Sequence, residues 1–371
     1  MTFQHSLATP RFDADDINRT IQRALASAGL DTSTGSMHEV TETIRRALSS
    51  NASSAVEPSR PSSPAARSLP GRLIAGEFSN RAGTRAYKLY VPSQGPDSSP
   101  PLIVMLHGCT QSADDFSQGT QMSRLAEEHG FLVLYVEQAA GANASRCWNW
   151  FQPHDQQRDK GEPSVIAGMV REVAAAHGVD ERRIFVAGLS AGAAMAVVLG
   201  ETYPDIFAAV GAHSGLPFAS AHDIPSAMAA MKGGRGRSGR AGLSGARGGE
   251  GSCRQAVPTI VFHGDRDHTV QHSNGAAILE QAREAYVACN TTGATLAIRT
   301  ERGTAPGGRT FSRSVHTDTD GRDHLEFWTL HGAGHAWSGG HASGSYTDAQ
   351  GPDASSEMVR FFLSQPRAGS A

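Results

Sequence analysis

Short apolar runs alternate with longer amphipathic stretches along most of the chain. The short runs predict β-strands at Ala86–Val91, Leu102–Leu106, Phe131–Val136, Ile184–Ala187, Ala208–Ala212, Thr259–Phe262 and Leu325–Leu330. The longer stretches have helical periodicity and predict helices over Thr120–His129, Pro163–His177, Ala191–Thr202, Ser273–Ala288 and Asp353–Leu363. This alternation indicates an α/β fold with a mostly parallel central sheet and helices on both faces. Such sheets bind ligands at the carboxyl ends of their strands, so the residues that follow each strand are the candidates for chemistry.

Two segments depart from this alternation. Residues 1–70 hold two amphipathic stretches, at Ile17–Leu25 and Val40–Leu48, followed by a Ser-, Pro- and Ala-rich run. That composition predicts a helical or disordered extension and a linker before a folded domain at 71–371, and the two stretches are either surface helices or a docking segment. Residues 232–252 combine glycines with four arginines but no aromatic side chain, which favours a flexible insertion over an RNA-binding tract.

Charge and hydropathy narrow the class of protein. The 371 residues contain 33 Lys and Arg against 36 Asp and Glu, a formal net charge of −3. This near-balance gives no support for a nucleic-acid or anionic-membrane partner. No apolar stretch approaches the roughly 18 residues of a membrane span, and the N-terminus lacks the apolar core of a secretory signal. The sequence therefore predicts a soluble, cytoplasmic protein with no transmembrane segment, in which cysteines are by default free thiols.

The strand predicted at Ile184–Ala187 leads into the segment Gly-Leu-Ser-Ala-Gly at 188–192. An apolar strand before Ser190 and a small-residue helix after it form the strand–turn–helix context that a nucleophile elbow requires. The two glycines allow the tight turn, and the helix N-terminus favours negative charge that develops beside the serine. Ser190 is therefore the predicted nucleophile, the alternative being an ordinary turn with a serine at the helix N-cap.

A serine hydroxyl needs a base and an orienting acid, which in this arrangement follow the serine in the order acid, then histidine. Asp265 and Asp267 both follow the sixth predicted strand. Asp267 is favoured because it lies deeper in the loop, from where it can reach across to a histidine. The base is predicted at His335, in a Gly-rich loop beyond the last strand. His331 and His341 lie nearby, but the three histidines share no regular element, so a metal site is not expected.

Two backbone N–H groups are candidates for stabilising the oxyanion of acyl transfer. One belongs to Ala191, directly after the nucleophile, and the other to Cys109, in the loop after the second predicted strand. Cys147 also follows a strand at this edge, so a disulfide between Cys109 and Cys147 would fix the loop. Cys253 and Cys289 are either a second bridge or two buried thiols.

Trp148, Trp150 and Trp337 all fall in loops at the same edge of the predicted sheet. Large apolar rings around a polar triad predict an apolar substrate groove. Rings that merely pack the loops against one another would make no contact with substrate. The sequence leaves both interpretations open.

Taken together, these motifs resemble the polyhydroxybutyrate (PHB) depolymerase-like esterases of the α/β-hydrolase superfamily. The resemblance covers about Gly71–Leu363 and is specific as a set of six segments, LHGCTQSADDF (106–116), LAEEHGFLVLYVEQ (125–138), CWNWF (147–151), RIFVAGLSAGAAM (183–195), HGDRDHTV (263–270) and GAGHAW (332–337). It implies the α/β-hydrolase fold, the triad and oxyanion residues named above, and ester hydrolysis without a metal or organic cofactor. The insertion at 232–252 matches no pattern of the family, so no functional residue is carried onto it.

The resemblance further implies a serine esterase that acts on poly(3-hydroxybutyrate) or its oligomers. The intracellular type is the nearest, because neither a secretory signal nor an appended substrate-binding domain is evident. The implied partners are the ester substrate and a polymer granule surface. Two alternatives stay open, a feruloyl- or acetylxylan-type carbohydrate esterase and a granule-binding protein with little turnover. The intact set of serine, acid, base and glycine loop argues against the second.

Overall fold

The computed structural model describes residues 69–93, 99–234, 256–290 and 295–365. Its strands are β1 (Arg72–Asn80), β2 (Gly83–Val91), β3 (Leu102–Leu106), β4 (Leu132–Val136), β5 (Ile184–Leu189), β6 (Ala209–His213), β7 (Thr259–Gly264), β8 (Ala297–Thr304), β9 (Thr310–Thr317), β10 (Asp323–Leu330), β11 (Trp337–Ser338) and β12 (Thr347–Asp348). Its α-helices are α1 (Ala113–Thr120), α2 (Met122–His129), α3 (Gly161–His177), α4 (Ala191–Thr202), α5 (Ile224–Met231), α6 (Ser273–Cys289) and α7 (Ala354–Ser364), and a 3₁₀ turn covers Pro153–Gln156. All but the last two residues of the extension predicted at 1–70, and most of the insertion predicted at 232–252, lie outside the described residues. The domain division therefore stays a prediction.

Ten of these strands form one sheet in the order β1-β2-β4-β3-β5-β6-β7-β10-β9-β8. The six central strands of that order, from β4 to β10, run parallel, and an antiparallel pair extends the sheet at each edge. Every residue of β3, β4, β5, β6 and β7 is buried, as expected for parallel strands that are covered on both faces. The predicted α/β architecture with a mostly parallel sheet is confirmed.

Two hydrophobic clusters attach the helices to the two faces of the sheet. Helices α3, α4 and α6 contribute Val170, Met195 and Ile278 to one cluster, and α1, α2 and α7 contribute Phe116, Leu125 and Phe362 to the other. Fully burying a side chain of this size typically contributes about 1.5–3 kcal/mol, so these contacts stabilise the packing of the helices on the sheet. Among the described helices, none is long and apolar enough to cross a membrane.

The structure differs from the sequence prediction at the edges and in one helix. The helix predicted over Thr120–His129 corresponds to α2 and begins two residues later, because Gln121 adopts a left-handed conformation (φ 54°) that ends α1, a helix the sequence does not predict. The sequence does not predict β1, β8 or β9. Strand β8 is exposed along almost its whole length, so it lacks the apolar run by which the central strands are recognised.

The carboxyl ends of β3, β5, β6, β7 and β10 lie side by side, because these strands are parallel neighbours in the sheet. The predicted site residues follow these ends. Cys109 comes after β3, Ser190 after β5, Asp267 after β7 and His335 after β10. The topology therefore brings them to one edge of the sheet.

Candidate active site

Ser190 lies at the sharp turn between β5 and α4. Its backbone has φ 58° and ψ −118°, a conformation that a residue with a side chain adopts only under strain. The Ser190 N–H donates to the His213 carbonyl oxygen (2.9 Å), and the Ser190 carbonyl oxygen accepts from the Ala194 N–H (3.0 Å). Glycine is required on both sides, since a Cβ on Gly188 or Gly192 would overlap backbone atoms. This is the geometry of a nucleophile elbow.

Asp267 and His335 form an acid–base pair at the same edge. His335 Nδ1 donates to Asp267 Oδ2 over 2.7 Å. The other carboxylate oxygen accepts from the backbone N–H groups of Thr269 (2.9 Å) and Val270 (2.8 Å), which orients the buried carboxylate. Because the carboxylate keeps a proton on Nδ1, Nε2 of the neutral ring is left to accept one.

The Asp267 carboxyl group stays ionised despite its burial. Burial alone would raise its pKa, but the hydrogen bond and charge of His335, together with the Val270 N–H, hold the pKa of Asp267 below its ordinary value. An ionised carboxylate at this position can stabilise the imidazolium that forms when His335 takes up a proton.

Asp265, the alternative acid, belongs to a second hydrogen-bonded chain. Its Oδ2 accepts from His331 Nδ1 (2.9 Å) and its Oδ1 from the Gly332 N–H (2.7 Å). His331 Nε2 in turn pairs with Ser312 Oγ (2.8 Å). Ser312 lies within β9, without the strained backbone of an elbow. Asp265 therefore caps the turn beside His331 and is not hydrogen-bonded to the predicted base.

His213, which belongs to no sequence motif, joins the nucleophile turn to the loop that carries the base. It is buried at the end of β6, and its carbonyl oxygen accepts from the Ser190 N–H. Its Nε2 accepts from the Ser338 N–H (3.0 Å), three residues beyond His335. Burial lowers the pKa of His213 to about 3, so the ring stays neutral and Nε2 remains an acceptor. A histidine at a strand end is the only sequence signal for this role.

The two predicted oxyanion donors flank Ser190. Ala191 is the first residue of α4, so its N–H belongs to the unpaired first turn of the helix. A Cβ on Gly108 would lie 3.6 Å from the Ser190 Cβ, which places the loop before Cys109 against the nucleophile. Within the described part of the chain, neither the Cys109 nor the Ala191 N–H donates to another protein atom. Both are available to a substrate oxygen.

A disulfide and a buried histidine hold the Cys109 loop. Cys109 is bonded to Cys147, and Trp148 Nε1 donates to the His107 carbonyl oxygen (3.0 Å). His107 Nδ1 donates to the next carbonyl oxygen along the chain (2.7 Å), and Nε2 accepts from the Gln138 N–H (3.0 Å). Burial lowers the pKa of His107, which favours this neutral bonding pattern.

Glu162, in the first turn of α3, is a buried carboxylate that is hydrogen-bonded to the loops next to the Cys109–Cys147 disulfide. Its Oε1 accepts from Arg85 Nη2 (3.1 Å), Gln138 Nε2 (2.5 Å) and Asn149 Nδ2 (2.9 Å). Its Oε2 accepts from the Asn149 N–H (2.8 Å). Burial raises the pKa of Glu162. The sequence does not predict this role of Glu162, because nothing in the helix pattern marks the carboxylate as facing the interior. The one signal is Asn149, a polar residue between two tryptophans that needs a buried polar partner.

Trp148, Trp150 and Trp337 are buried in the loops around the site. Trp148 contacts the His107 ring, and Trp337 Nε1 donates to Ser355 Oγ (3.0 Å). Buried tryptophans usually pair their N–H group in this way. Of the two interpretations of the sequence, burial favours loop packing, and the predicted substrate contact has little exposed ring surface to support it.

The three histidines considered as a metal site have separate partners. His331 and His335 each bond to a different aspartate, and His341 Nδ1 pairs with a neighbouring serine hydroxyl (2.7 Å). Among the described residues, no group of three or more His, Cys, Asp or Glu side chains is arranged to hold a metal ion. Cys289 is disulfide-bonded, and Cys253 lies outside the described residues.

Two buried histidines should make the stability of the fold depend on pH. Burial lowers the pKa of His213 to about 3 and that of His263 to about 4, below the roughly 6.5 of a histidine in an unfolded chain. Between about pH 4 and 6.5 the unfolded chain therefore binds more protons than the folded one. The free energy of unfolding then falls as the pH falls, by roughly 1.4 kcal/mol per pH unit for each histidine.

We expect the urea midpoint of unfolding to drop between about pH 7 and pH 5. In the His263→Gln variant the same drop should be smaller, because one of the titrating rings is gone. A midpoint that stays constant over this range would contradict two neutral buried rings.

Comparison with known proteins identifies the family. The family model described as Esterase PHB depolymerase matches residues 85–306, more than half of the chain. Poly(3-hydroxyalkanoate) depolymerase C of Paucimonas lemoignei is 34% identical over 259 residues, which are 70% of this chain and 60% of that protein. Acetylxylan esterase A of Aspergillus oryzae is 36% identical over 152 residues, 40% of this chain and 48% of that protein. This chain thus spans less than two thirds of either relative.

Comparison with a solved structure supports the assignment of the fold. The acetyl xylan esterase from Aspergillus awamori superposes with a TM-score of 0.60 at 21% sequence identity, covering 79% of this chain and 100% of that chain. At this identity the likeness shows the fold alone, and the predicted α/β-hydrolase fold is confirmed. With the family match over residues 85–306, the chain belongs to the PHB depolymerase family of esterases.

Proposed function

We propose that this protein hydrolyses poly(3-hydroxybutyrate) or its oligomers, with Ser190 as nucleophile, His335 as general base and Asp267 as orienting acid. The observation that carries the proposal is the strained Ser190 turn at the same sheet edge as the Asp267–His335 hydrogen bond. The three residues follow one another in the order that this triad takes on a parallel sheet. The 34% identity to poly(3-hydroxyalkanoate) depolymerase C supports a polyester as the substrate class.

The proposed reaction proceeds through an acyl-enzyme. Ser190 Oγ attacks the ester carbonyl carbon while His335 Nε2 takes up the hydroxyl proton. When the tetrahedral intermediate collapses, the bond to the leaving alcohol breaks and His335 gives that alcohol the proton. A water molecule then attacks the acyl-enzyme with His335 again as base. This step releases the 3-hydroxy acid and regenerates Ser190.

Fixed backbone donors would stabilise the intermediate. The negatively charged oxygen faces the N–H groups of Cys109 and Ala191, and each such donor typically contributes about 3 kcal/mol. The donors act best when they need no rearrangement during the reaction. The disulfide to Cys147 and the neutral His107 ring supply this rigidity.

The disulfides indicate the redox state of the compartment in which the protein acts. A bridge between Cys109 and Cys147 and a bonded Cys289 favour an oxidising compartment, because the cytosol keeps thiols reduced. This argues against the cytoplasmic location that the sequence predicts. A polymer granule surface is the proposed macromolecular partner, and the fold offers no reason to invoke a nucleic acid.

Product analysis tests the substrate. Purified protein is incubated with amorphous PHB granules, and the soluble products are identified by mass spectrometry. We expect 3-hydroxybutyrate and its short oligomers to appear, each cleavage adding one water, and the Ser190→Ala variant to release none. Granules that stay intact while p-nitrophenyl butyrate is hydrolysed would overturn the polyester assignment and leave the esterase chemistry standing.

The second candidate is a carbohydrate esterase. It is favoured by the 36% identity to acetylxylan esterase A. Release of acetate from acetylated xylan, or of ferulate from a feruloylated arabinoxylan, with inert granules would select this function. Binding to granules without any hydrolysis would instead select the granule-binding alternative.

A further inference from the structure

Tyr346 carries an exposed aromatic ring beside the site. Among the Phe, Trp and Tyr side chains of the described residues, that of Tyr346 alone is exposed, with a relative accessibility of 48%. The residue precedes β12 and has a φ of 50°. A residue with a side chain adopts this left-handed conformation only where the surrounding structure imposes it. The fold therefore presents an aromatic ring to solvent at a conformational cost.

Tyr346 bridges the two loops that carry the catalytic groups. Its hydroxyl lies 3.2 Å from Thr110 Oγ1, and Thr110 directly follows the oxyanion donor Cys109. Its carbonyl oxygen accepts from the Trp337 N–H (2.7 Å), two residues beyond His335. Tyr346 is thus bonded through its hydroxyl to the oxyanion loop and through its backbone to the loop that follows the base, which places it beside both loops.

The neighbouring residue fixes Tyr346 in this position. The Ser345 N–H and hydroxyl donate to the two oxygens of Asp115, at 2.9 and 2.5 Å. Gln111 Nε2 donates to the Ser345 carbonyl oxygen (3.1 Å), while its Oε1 accepts from the Gly108 N–H (2.9 Å). The same glutamine therefore holds both the oxyanion loop and the segment before Tyr346. A ring fixed in advance binds a ligand without losing rotational freedom.

We propose that Tyr346 is a specificity-determining residue, which binds the substrate unit next to the ester being cleaved through its ring face and its hydroxyl. The inference rests on the proposed function. It adds that Tyr346 recognises the substrate unit next to the ester being cleaved. The three predicted tryptophans cannot take this part, because they are buried. Tyr346 is the aromatic side chain that remains accessible.

The exposed ring and hydroxyl of Tyr346 form a platform for substrate. This platform fits an uncharged chain in which apolar and ester groups alternate. Each unit of a 3-hydroxybutyrate oligomer has methyl and methylene groups that can pack on an aromatic ring. It also has a carbonyl oxygen that can accept from the Tyr346 hydroxyl, whereas the Thr110 hydroxyl already donates to the Cys109 carbonyl oxygen (2.6 Å). A small ester such as p-nitrophenyl acetate has no second unit and gains nothing comparable from the platform.

The test compares two substrates across two variants. We measure kcat and KM of wild type, Tyr346→Ala and Tyr346→Phe with the methyl ester of the linear 3-hydroxybutyrate trimer and with p-nitrophenyl acetate. The ratio of kcat/KM for the trimer to that for the acetate should fall about tenfold in Tyr346→Ala, mainly through KM of the trimer. Tyr346→Phe keeps the ring and should lower the ratio about threefold, as expected for one lost hydrogen bond.

Ile298→Ala is the matched control. Ile298 is 62% exposed on β8, the outermost strand at the far edge of the sheet, so its loss should leave the ratio unchanged. Equal losses on both substrates through kcat would overturn the proposal, because Tyr346 would then only support the oxyanion loop. If Tyr346→Ala fails to fold, an unchanged ratio in Tyr346→Phe overturns the hydroxyl contact and a reduced ratio supports it.

If the proposed polyester substrate is wrong, the wild-type protein itself gives a different result. A wild-type protein that hydrolyses p-nitrophenyl acetate but not the trimer rejects the polyester substrate. The same variants are then compared on acetylated xylotriose. A loss confined to this longer substrate supports Tyr346 as the platform for the adjacent unit, and equal losses on both substrates reject it.

Discussion

Replacing Ser190 by alanine is expected to lower kcat for p-nitrophenyl butyrate by about 10⁶-fold, the loss measured when the nucleophile of a serine hydrolase is removed. Without Oγ no acyl-enzyme forms, and only binding and the oxyanion donors remain. The Ser190 side chain makes no capping hydrogen bond to α4, so alanine should leave the fold intact. Initial rates, together with the thermal unfolding midpoint of both proteins, measure the effect.

The chain contains its own control for this experiment. Ser312 is hydrogen-bonded to His331, which is bonded to Asp265, so this serine has the same sequence of partners as a catalytic one. It lies within a regular strand, however, and has no elbow. Ser312→Ala should therefore keep activity within about threefold of wild type, while a fluorophosphonate should label wild type and Ser312→Ala but not Ser190→Ala. Labelling that survives in Ser190→Ala would move the nucleophile to another serine.

The sequence predicts the central part of this fold well, for a physical reason. Strands buried on both faces must be apolar throughout, so β3 matches the prediction at both ends and β5, β6 and β7 match it to within two residues. Ser190 is recognisable because an elbow needs small residues at fixed positions around it. Each of these signals is local in the chain.

The remaining parts of the site depend on contacts between distant segments. Glu162 contacts Asn149 and Gln138 across 13 and 24 residues, and His213 contacts Ser338 across 125 residues. Burial likewise depends on the whole fold, since the tryptophan pattern alone is compatible with a groove or with loop packing. Tyr346 belongs to no motif, and its position depends on a hydrogen bond to Thr110, 236 residues away in the sequence.

Replacing Asp267 by asparagine is expected to lower kcat by about 10⁴-fold at neutral pH with a much smaller change in KM, as in other serine hydrolases with this substitution. The asparagine oxygen can still accept from the Thr269 and Val270 N–H groups. The amide nitrogen then faces His335 Nδ1 and can only donate to it. The imidazole must place its proton on Nε2, the atom that has to accept the Ser190 proton. Separate kcat and KM values on p-nitrophenyl butyrate measure this loss.

Asp265→Asn is the matched control. Asp265 lies in the same loop as Asp267, and it is bonded to His331, which lies in the same loop as His335. The two bonds are of similar length, 2.9 Å for Asp265 to His331 and 2.7 Å for Asp267 to His335. Damage to the loops alone would affect both variants alike. A loss in Asp267→Asn with activity within about threefold of wild type in Asp265→Asn therefore isolates the role of Asp267 in orienting the base. The reverse result would assign that role to Asp265 and the base to His331.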